Sequence, residues 1–216
     1  MNVSEVIKEI ESFAPLAYQE SYDNAGLIVG SPTMMVTGIL ICLDTIEEII
    51  DEASQKKCSL VVADQPIVFS ELKKITGKNY VERVLIKAIK NDIAIYAAHT
   101  NLDNVHLGVN KMIGEKLGLQ NLKILSPKKQ ILKKMYTYAP NEYIEQIQRA
   151  LFEAGAGNIG NYADCSFLSE GIGTFTGKEK SNPFFGKKGI QSRENETKLE
   201  MIFPSHLEQK ILQALR

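Results

Sequence analysis

Three apolar runs, Gly38 to Leu43, Ser59 to Ala63 and Ile93 to Ala98, alternate with stretches whose apolar residues recur at helical spacing. That alternation constrains the fold more than any other feature. Strands apolar on both faces belong in a largely parallel sheet with helices packed against it. Val3, Val6, Ile7, Ile10 and Phe13 form the first helical stripe, which Pro15 closes. Tyr22 to Gly26 has turn chemistry and leads into a short strand, Leu27 to Val29, ended by Gly30. Thr45 is placed to cap a helix running to about Lys56. Asn79 is placed to cap one carrying Val81, Val84, Leu85, Ala88 and Ile89. A further helix puts Val109, Met112, Ile113 and Leu117 on one face, with Gly118 as its stop.

The character changes at Ser126-Pro127-Lys128-Lys129, a basic joint that divides the chain into residues 1–126 and 127–216. The second part reads as a strand from Ile131 to Tyr138 and a helix bearing Tyr143, Ile144, Ile147, Ala150 and Leu151. Two short strands follow, at about Ala163 to Leu168 and Ile172 to Phe175. A polar loop, a strand from Lys198 to Phe203 and a helix from Leu207 to Leu215 complete it. Ser205 and Glu208 have capping-box spacing. This order matches a ferredoxin-like α+β unit without its last strand, so the chain is expected to be a truncated product or fragment.

With 25 basic and 26 acidic residues, the chain offers no broad basic surface, and no nucleic-acid partner is expected. Cys42, Cys58 and Cys165 lie far apart without C-x-x-C spacing, which fits a reducing compartment better than a disulfide framework. The N-terminal residues are too charged for a signal peptide, and no apolar stretch approaches the ~20 residues that span a bilayer. A cytoplasmic location without membrane contact is expected.

Two strand ends carry the polar residues of interest. Val61 to Ala63 runs into Asp64-Gln65-Pro66, and Ile93 to Ala98 runs into His99-Thr100-Asn101-Leu102-Asp103. Polar groups at the carboxyl ends of parallel strands converge on one edge, where ligands usually sit. An imidazole and a carboxylate there suit a metal site or a general acid–base pair. Asp103 capping a turn and His99 bonded to backbone is an equally good account. Asp64 and Gln65 taken alone are explained by a turn at Gln65-Pro66.

Other motifs carry less. Gly155-Ala156-Gly157-Asn158-Ile159-Gly160 matches G-x-G-x-x-G but follows a helix and leads towards a strand. It reads as a helix stop and tight loop. Gly173 to Lys178 lacks the spacing and hydroxyl of a phosphate loop. No serine or cysteine stands in a triad context, and His106 and His206 read as solvated surface residues.

Tyr22 to Gly30, Cys42-Leu43-Asp44, Val61 to Phe69, and His99 to Asp103 with Gly108-Val109-Asn110 together resemble the Nif-three-like dinuclear-metal family. Its members are commonly labelled GTP cyclohydrolase 1 type 2 homologues. Residues Gly155 to Tyr162 and Cys165-Ser166-Phe167 resemble the PII-like domain inserted in longer members. The resemblance implies a toroidal homohexamer binding two divalent metal ions per subunit, with hydrolytic activity on a nucleotide-like small molecule such as GTP. It places Asp103 on a metal-ligand position and His99 in the same motif.

The chain departs from that family where His-His-Pro is expected, because Asp64-Gln65-Pro66 stands there. Oxygen ligands shift preference toward magnesium, manganese or calcium. A further His and Glu ligand lie in a C-terminal segment outside this sequence, and Tyr22 replaces the usual Trp. The expectation is therefore a degraded or incomplete site with Asp103, Asp64 and Gln65 as the remaining metal contacts and His99 nearby as the catalytic acid–base residue or as a support behind the ligands. Weak or single-ion binding and little activity would follow. The alternative is a non-enzymatic oligomeric scaffold or small-ligand sensor acting through the PII-like domain.

Overall fold

Every residue from Ala94 to Ala97 is buried, and Ala94 and Tyr96 enter one apolar core while Ile95 enters another. A strand covered on both faces explains why this run is apolar without interruption. In the computed structural model, which describes residues 1–129 and 131–216, it lies within the first of two compact units, Met1–Leu125 and Ser126–Arg216.

The first unit begins with α1 (Val3–Phe13) and continues with β1 (Gly26–Val29), β2 (Ile39–Cys42), α2 (Glu47–Gln55) and β3 (Leu60–Ala63). It then runs through α3 (Tyr80–Lys90), β4 (Ala94–Ala97), α4 (Thr100–Asp103) and α5 (Val109–Lys116). The sheet order is β1-β4-β3-β2. Strands β2, β3 and β4 are parallel, as the alternation predicts, while β1 adds an antiparallel edge against β4.

Ile50, Ala53, Val84, Leu85 and Ala88 from α2 and α3 pack on Val61 and Ile95 at one face. Val3 and Val6 from α1 pack on Leu60, Ala94 and Tyr96 at the other. Complete burial of an aliphatic side chain such as Ile50 or Ile95 contributes roughly 1.5–3 kcal/mol, so these cores fix the sheet that carries the strand ends.

Two caps behave differently. Asn79 accepts a hydrogen bond from the Glu82 N–H and starts α3. Thr45 does not cap α2: it is buried at 2% exposure, and the helix begins after Ile46 without a side-chain cap.

The second unit comprises β5 (Leu132–Pro140), α6 (Ile144–Glu153), β6 (Phe167–Thr176), β7 (Gln191–Pro204) and α7 (Glu208–Ala214). Its antiparallel sheet has the order β5-β7-β6. These are three strands and two helices in ferredoxin-like order. Leu199, Met201 and Phe203 alternate inward along β7 and meet Leu151 of α6 and Ile211 of α7.

Two expectations need correction here. The strands expected at Ala163 to Leu168 and Ile172 to Phe175 are one strand, β6, paired to β7 residue for residue from Phe167 to Thr176. Glycines 171 and 173, which suggest a break in the sequence, lie within the continuous ladder. The Ser205–Glu208 capping box does not form. Ser205 opens a 3-10 turn, and its N–H donates to the Ile131 carbonyl at 2.7 Å.

Gly155 ends α6 with φ +105°, and the Ala156 N–H returns to the Leu151 carbonyl at 3.0 Å. That is the helix-stop geometry read from the glycine-rich motif.

Candidate functional site

Strands β3 and β4 are neighbours, with Ala63 in register with Ala97, so their carboxyl ends deliver Asp64-Gln65 and His99 side by side. The Asp64 N–H donates to Cys42 O at 3.1 Å and the Gln65 N–H to Leu43 O at 2.9 Å, carrying the β2–β3 pairing one step further. Beyond β4, His99 is the residue preceding α4. The Leu102 and Asp103 N–H groups both donate to its carbonyl, at 2.9 and 3.1 Å. Asn101, fully buried, donates through Nδ2 to Ala14 O at 2.7 Å and fastens this turn to the end of α1.

The residue that organises the His99 turn is Asp23. Its Oδ1 lies 2.9 Å from His99 Nδ1, and its Oδ2 accepts from the Thr100 N–H at 3.0 Å and from the Thr100 hydroxyl. Oδ1 also accepts from the Asn24 N–H at 2.7 Å. The Asp23 side chain is completely covered and that of His99 nearly so, at 15% exposure. Burial works to raise the Asp23 carboxyl, but the bonds from Thr100 and His99 outweigh it and hold the group below the usual range. An ionised carboxylate can only accept, so neutral His99 carries its proton on Nδ1 and leaves Nε2 as an acceptor. Phe69 meets the His99 ring edge-on at 6.3 Å, and Tyr22 meets Phe69 at 6.4 Å.

Asp103 sits at the end of α4. Burial pushes its carboxyl up, and the negative charge of Asp64 adds to that, with a smaller push from Asp23; His99 acts in the opposite sense. The negative charge of Asp64 is thus felt at Asp103. Gln65 is more exposed, and its amide donates to Asp64 Oδ2 at 3.0 Å.

Asp64, His99 and Asp103 thus follow the carboxyl ends of neighbouring strands, with Gln65 exposed next to Asp64. Asp23 joins His99 and Thr100 there through hydrogen bonds. The signal for Asp23 lies in β1: Gly26 pairs with Ala97 antiparallel, and continuing that register three residues outward sets Asp23 opposite Thr100. His106 is exposed on the loop before α5, and His206 lies in the second unit.

At these strand ends the donor set among the described residues is small for a pair of metal ions. Among the described residues no three His, Cys, Asp or Glu side chains come together closely enough to hold an ion. Asp23, a further carboxylate bonded to His99, already accepts four hydrogen bonds. What these strand ends hold is two carboxylates, Asp64 and Asp103, and an imidazole oriented by Asp23.

A family model described as Duf34/NIF3 (NGG1p interacting factor 3) matches residues 1–184. The chain is 39% identical over 216 residues to a Bacillus subtilis protein named GTP cyclohydrolase 1 type 2 homolog, covering all of this chain and 58% of the relative. A Halalkalibacterium halodurans protein of the same name is 37% identical over 215 residues, covering 99% and 58%. Among solved structures, a Bacillus cereus protein related to NIF3 superposes with TM-score 0.84 at 39% identity, covering 100% of this chain and 57% of that one. A Staphylococcus aureus protein gives TM-score 0.67 at 27% identity, covering 100% and 55%. The chain thus spans less than two thirds of the length of these relatives. Among the described residues no helix is long and apolar enough to cross a membrane.

Proposed function

The chain belongs to the DUF34/NIF3 family, and on that premise we propose that its first unit supplies part of a divalent-cation-dependent hydrolytic site with weakened cation binding. The observation that carries this reading is that neighbouring strands β3 and β4 lead into Asp64 and into His99 with α4, whose last residue is Asp103, while a buried carboxylate fixes the histidine. Two carboxylates sharing a cleft repel, and a cation between them relieves that repulsion. Asp103 and Asp64 would be the cation contacts, with the Gln65 carbonyl as a neutral third. Oxygen donors favour magnesium, manganese or calcium over zinc. With too few ligands for a dinuclear centre, occupancy is weak and limited to a single ion.

His99 is the residue for proton movement. Asp23 holds Nδ1, so Nε2 is left as the acceptor for a proton from water or substrate. A nucleotide-like substrate such as GTP, a toroidal homohexamer and a PII-like role for the second unit are further parts of the proposal. They are supported by the relatives' names and by resemblance.

The test is elemental analysis of purified protein after chelator dialysis, followed by manganese and zinc titration of the chain and of Asp103→Ala. Weak manganese uptake, at most one ion per chain and lost in the variant, with little GTP hydrolysis, supports the proposal. Two zinc or iron ions retained per chain would overturn it. No uptake by either form, with unchanged assembly, favours the scaffold or sensor reading instead.

A further inference from the structure

The second unit contains an aromatic cleft unrelated to the Asp64–Asp103 site. The segment 177–190 between β6 and β7 folds back on itself. The Gly189 N–H donates to Gly177 O at 2.8 Å, Lys188 Nζ to Glu179 O at 2.8 Å, and both the N–H and hydroxyl of Ser181 to Lys178 O. Between this segment, the outer ends of β6 and β7, and the turn before α6 lies a cavity of about 870 Å3. That is within the size range of small-molecule sites. Phe184 meets Tyr143 edge-on at 5.9 Å and Phe185 at 4.7 Å, so the rings brace one another.

Two carboxylates, Glu194 and Glu196, lie in the same wall, and neither forms an ion pair among the described residues. The Glu196 carboxylate occupies the space where a Cβ on Gly173 would stand, so glycine at that position makes room for it. Lys178 is the one basic side chain in the wall, which leaves the lining net negative. Aromatic ring faces are themselves negative and attract cations.

From the braced rings and the two unpaired carboxylates we infer that this cleft binds a small organic cation with a flat or quaternary apolar body. Anions of the same shape are disfavoured by Glu194 and Glu196. Neutral ligands gain the apolar contact but neither the cation–π nor the carboxylate attraction. The inference is independent of the metal reading, because the two sites use different residues in different units.

The test uses the full chain and two probes of similar bulk, benzyltrimethylammonium and phenylacetate, followed by NMR shifts of the Phe184 and Phe185 resonances and by calorimetry. Saturable binding of the cation, with phenylacetate at least about tenfold weaker, supports the inference. Glu194→Gln combined with Glu196→Gln should remove that preference, and Phe184→Ala should weaken the cation about threefold or more. Circular dichroism establishes that each variant is folded, and probe resonances distant from the cleft check the fold locally. Equal binding of both probes, no saturable binding of the cation, or undiminished preference in the folded double variant would each overturn the inference. None of these results bears on cation uptake at Asp64 and Asp103.

Discussion

His99 and Asp23, 76 residues apart in the chain, meet through a 2.9 Å contact between Nδ1 and a carboxylate oxygen that has no exposure to solvent. The contact orients the imidazole and selects its tautomer. Neutral His99 should therefore show a protonated Nδ1 and an unprotonated Nε2 in long-range proton–nitrogen correlation spectra. Dominance of the opposite tautomer would contradict the assignment.

Removing the carboxylate tests its structural weight. Asp23→Ala leaves the Thr100 N–H, the Thr100 hydroxyl and His99 Nδ1 without their acceptor in a covered position. A stability loss on the order of 3 kcal/mol is expected in urea unfolding, typical of breaking a buried charged network. Asp23→Asn keeps the shape and one acceptor oxygen, so it should cost less.

Asp103 gives a prediction of opposite sign. Its carboxyl is pushed up by burial and by Asp64, so its folded-state proton affinity exceeds the unfolded one. Such a group costs stability once it ionises, above its folded pKa, and the cost vanishes at acid pH where it is protonated in both states. Asp103→Asn should therefore stabilise the chain at neutral pH by no more than about 1 kcal/mol, since Asp103 is partly exposed. The gain should fade as pH drops through the carboxylate range. Manganese should stabilise the parent chain and leave Asp103→Asn unaffected in the same melts.

How much of this was legible in the sequence can be argued from individual residues. The parallel ends carrying Asp64 and His99 could be read because β3 and β4 are apolar throughout, a pattern that burial on both faces demands. Asp23 could not be placed, because a four-residue strand such as β1 carries no sign of its direction, and only the antiparallel pairing brings its turn to Thr100. Glycines 171 and 173 suggest a break in β6 that pairing with β7 overrides. The caps divide the same way. Asn79 caps α3 and its amide also donates to Glu82, whereas Thr45 is drawn into the interior and the Ser205 backbone is tied to the residue before β5.

Gly157 offers a test of the glycine-rich segment. Its φ of +79° belongs to the left-handed region, and a Cβ there would stand 2.8 Å from the Phe152 ring and 2.9 Å from the Cys165 carbonyl. Gly157→Ala should cost about 1–3 kcal/mol in thermal or urea unfolding, combining backbone strain with the clash. Gly160 also has positive φ but nothing within 4 Å of a Cβ, so Gly160→Ala should cost only about 1 kcal/mol. Equal costs at the two positions would show that the packing against Phe152 and Cys165 does not matter.

The start of α3 predicts an acid-sensitive element. Glu82 accepts from the Thr76 N–H at 2.7 Å, the Lys78 N–H at 3.0 Å and the Thr76 hydroxyl at 2.8 Å, and these bonds pull its carboxyl down to about 2. A depressed carboxylate contributes stability that is complete above its unfolded pKa and is lost as pH falls toward the folded one. The loss for Glu82 should therefore fall between its usual 4.5 and about 2. Glu82→Gln should lower stability at neutral pH and flatten the acid limb of the stability curve over that window. Asn79→Ala, which removes the cap, should cost about 1 kcal/mol with little dependence on pH above 5. A Glu82→Gln chain whose acid limb matches the parent's would show that the carboxylate at the start of α3 is not the group that titrates there.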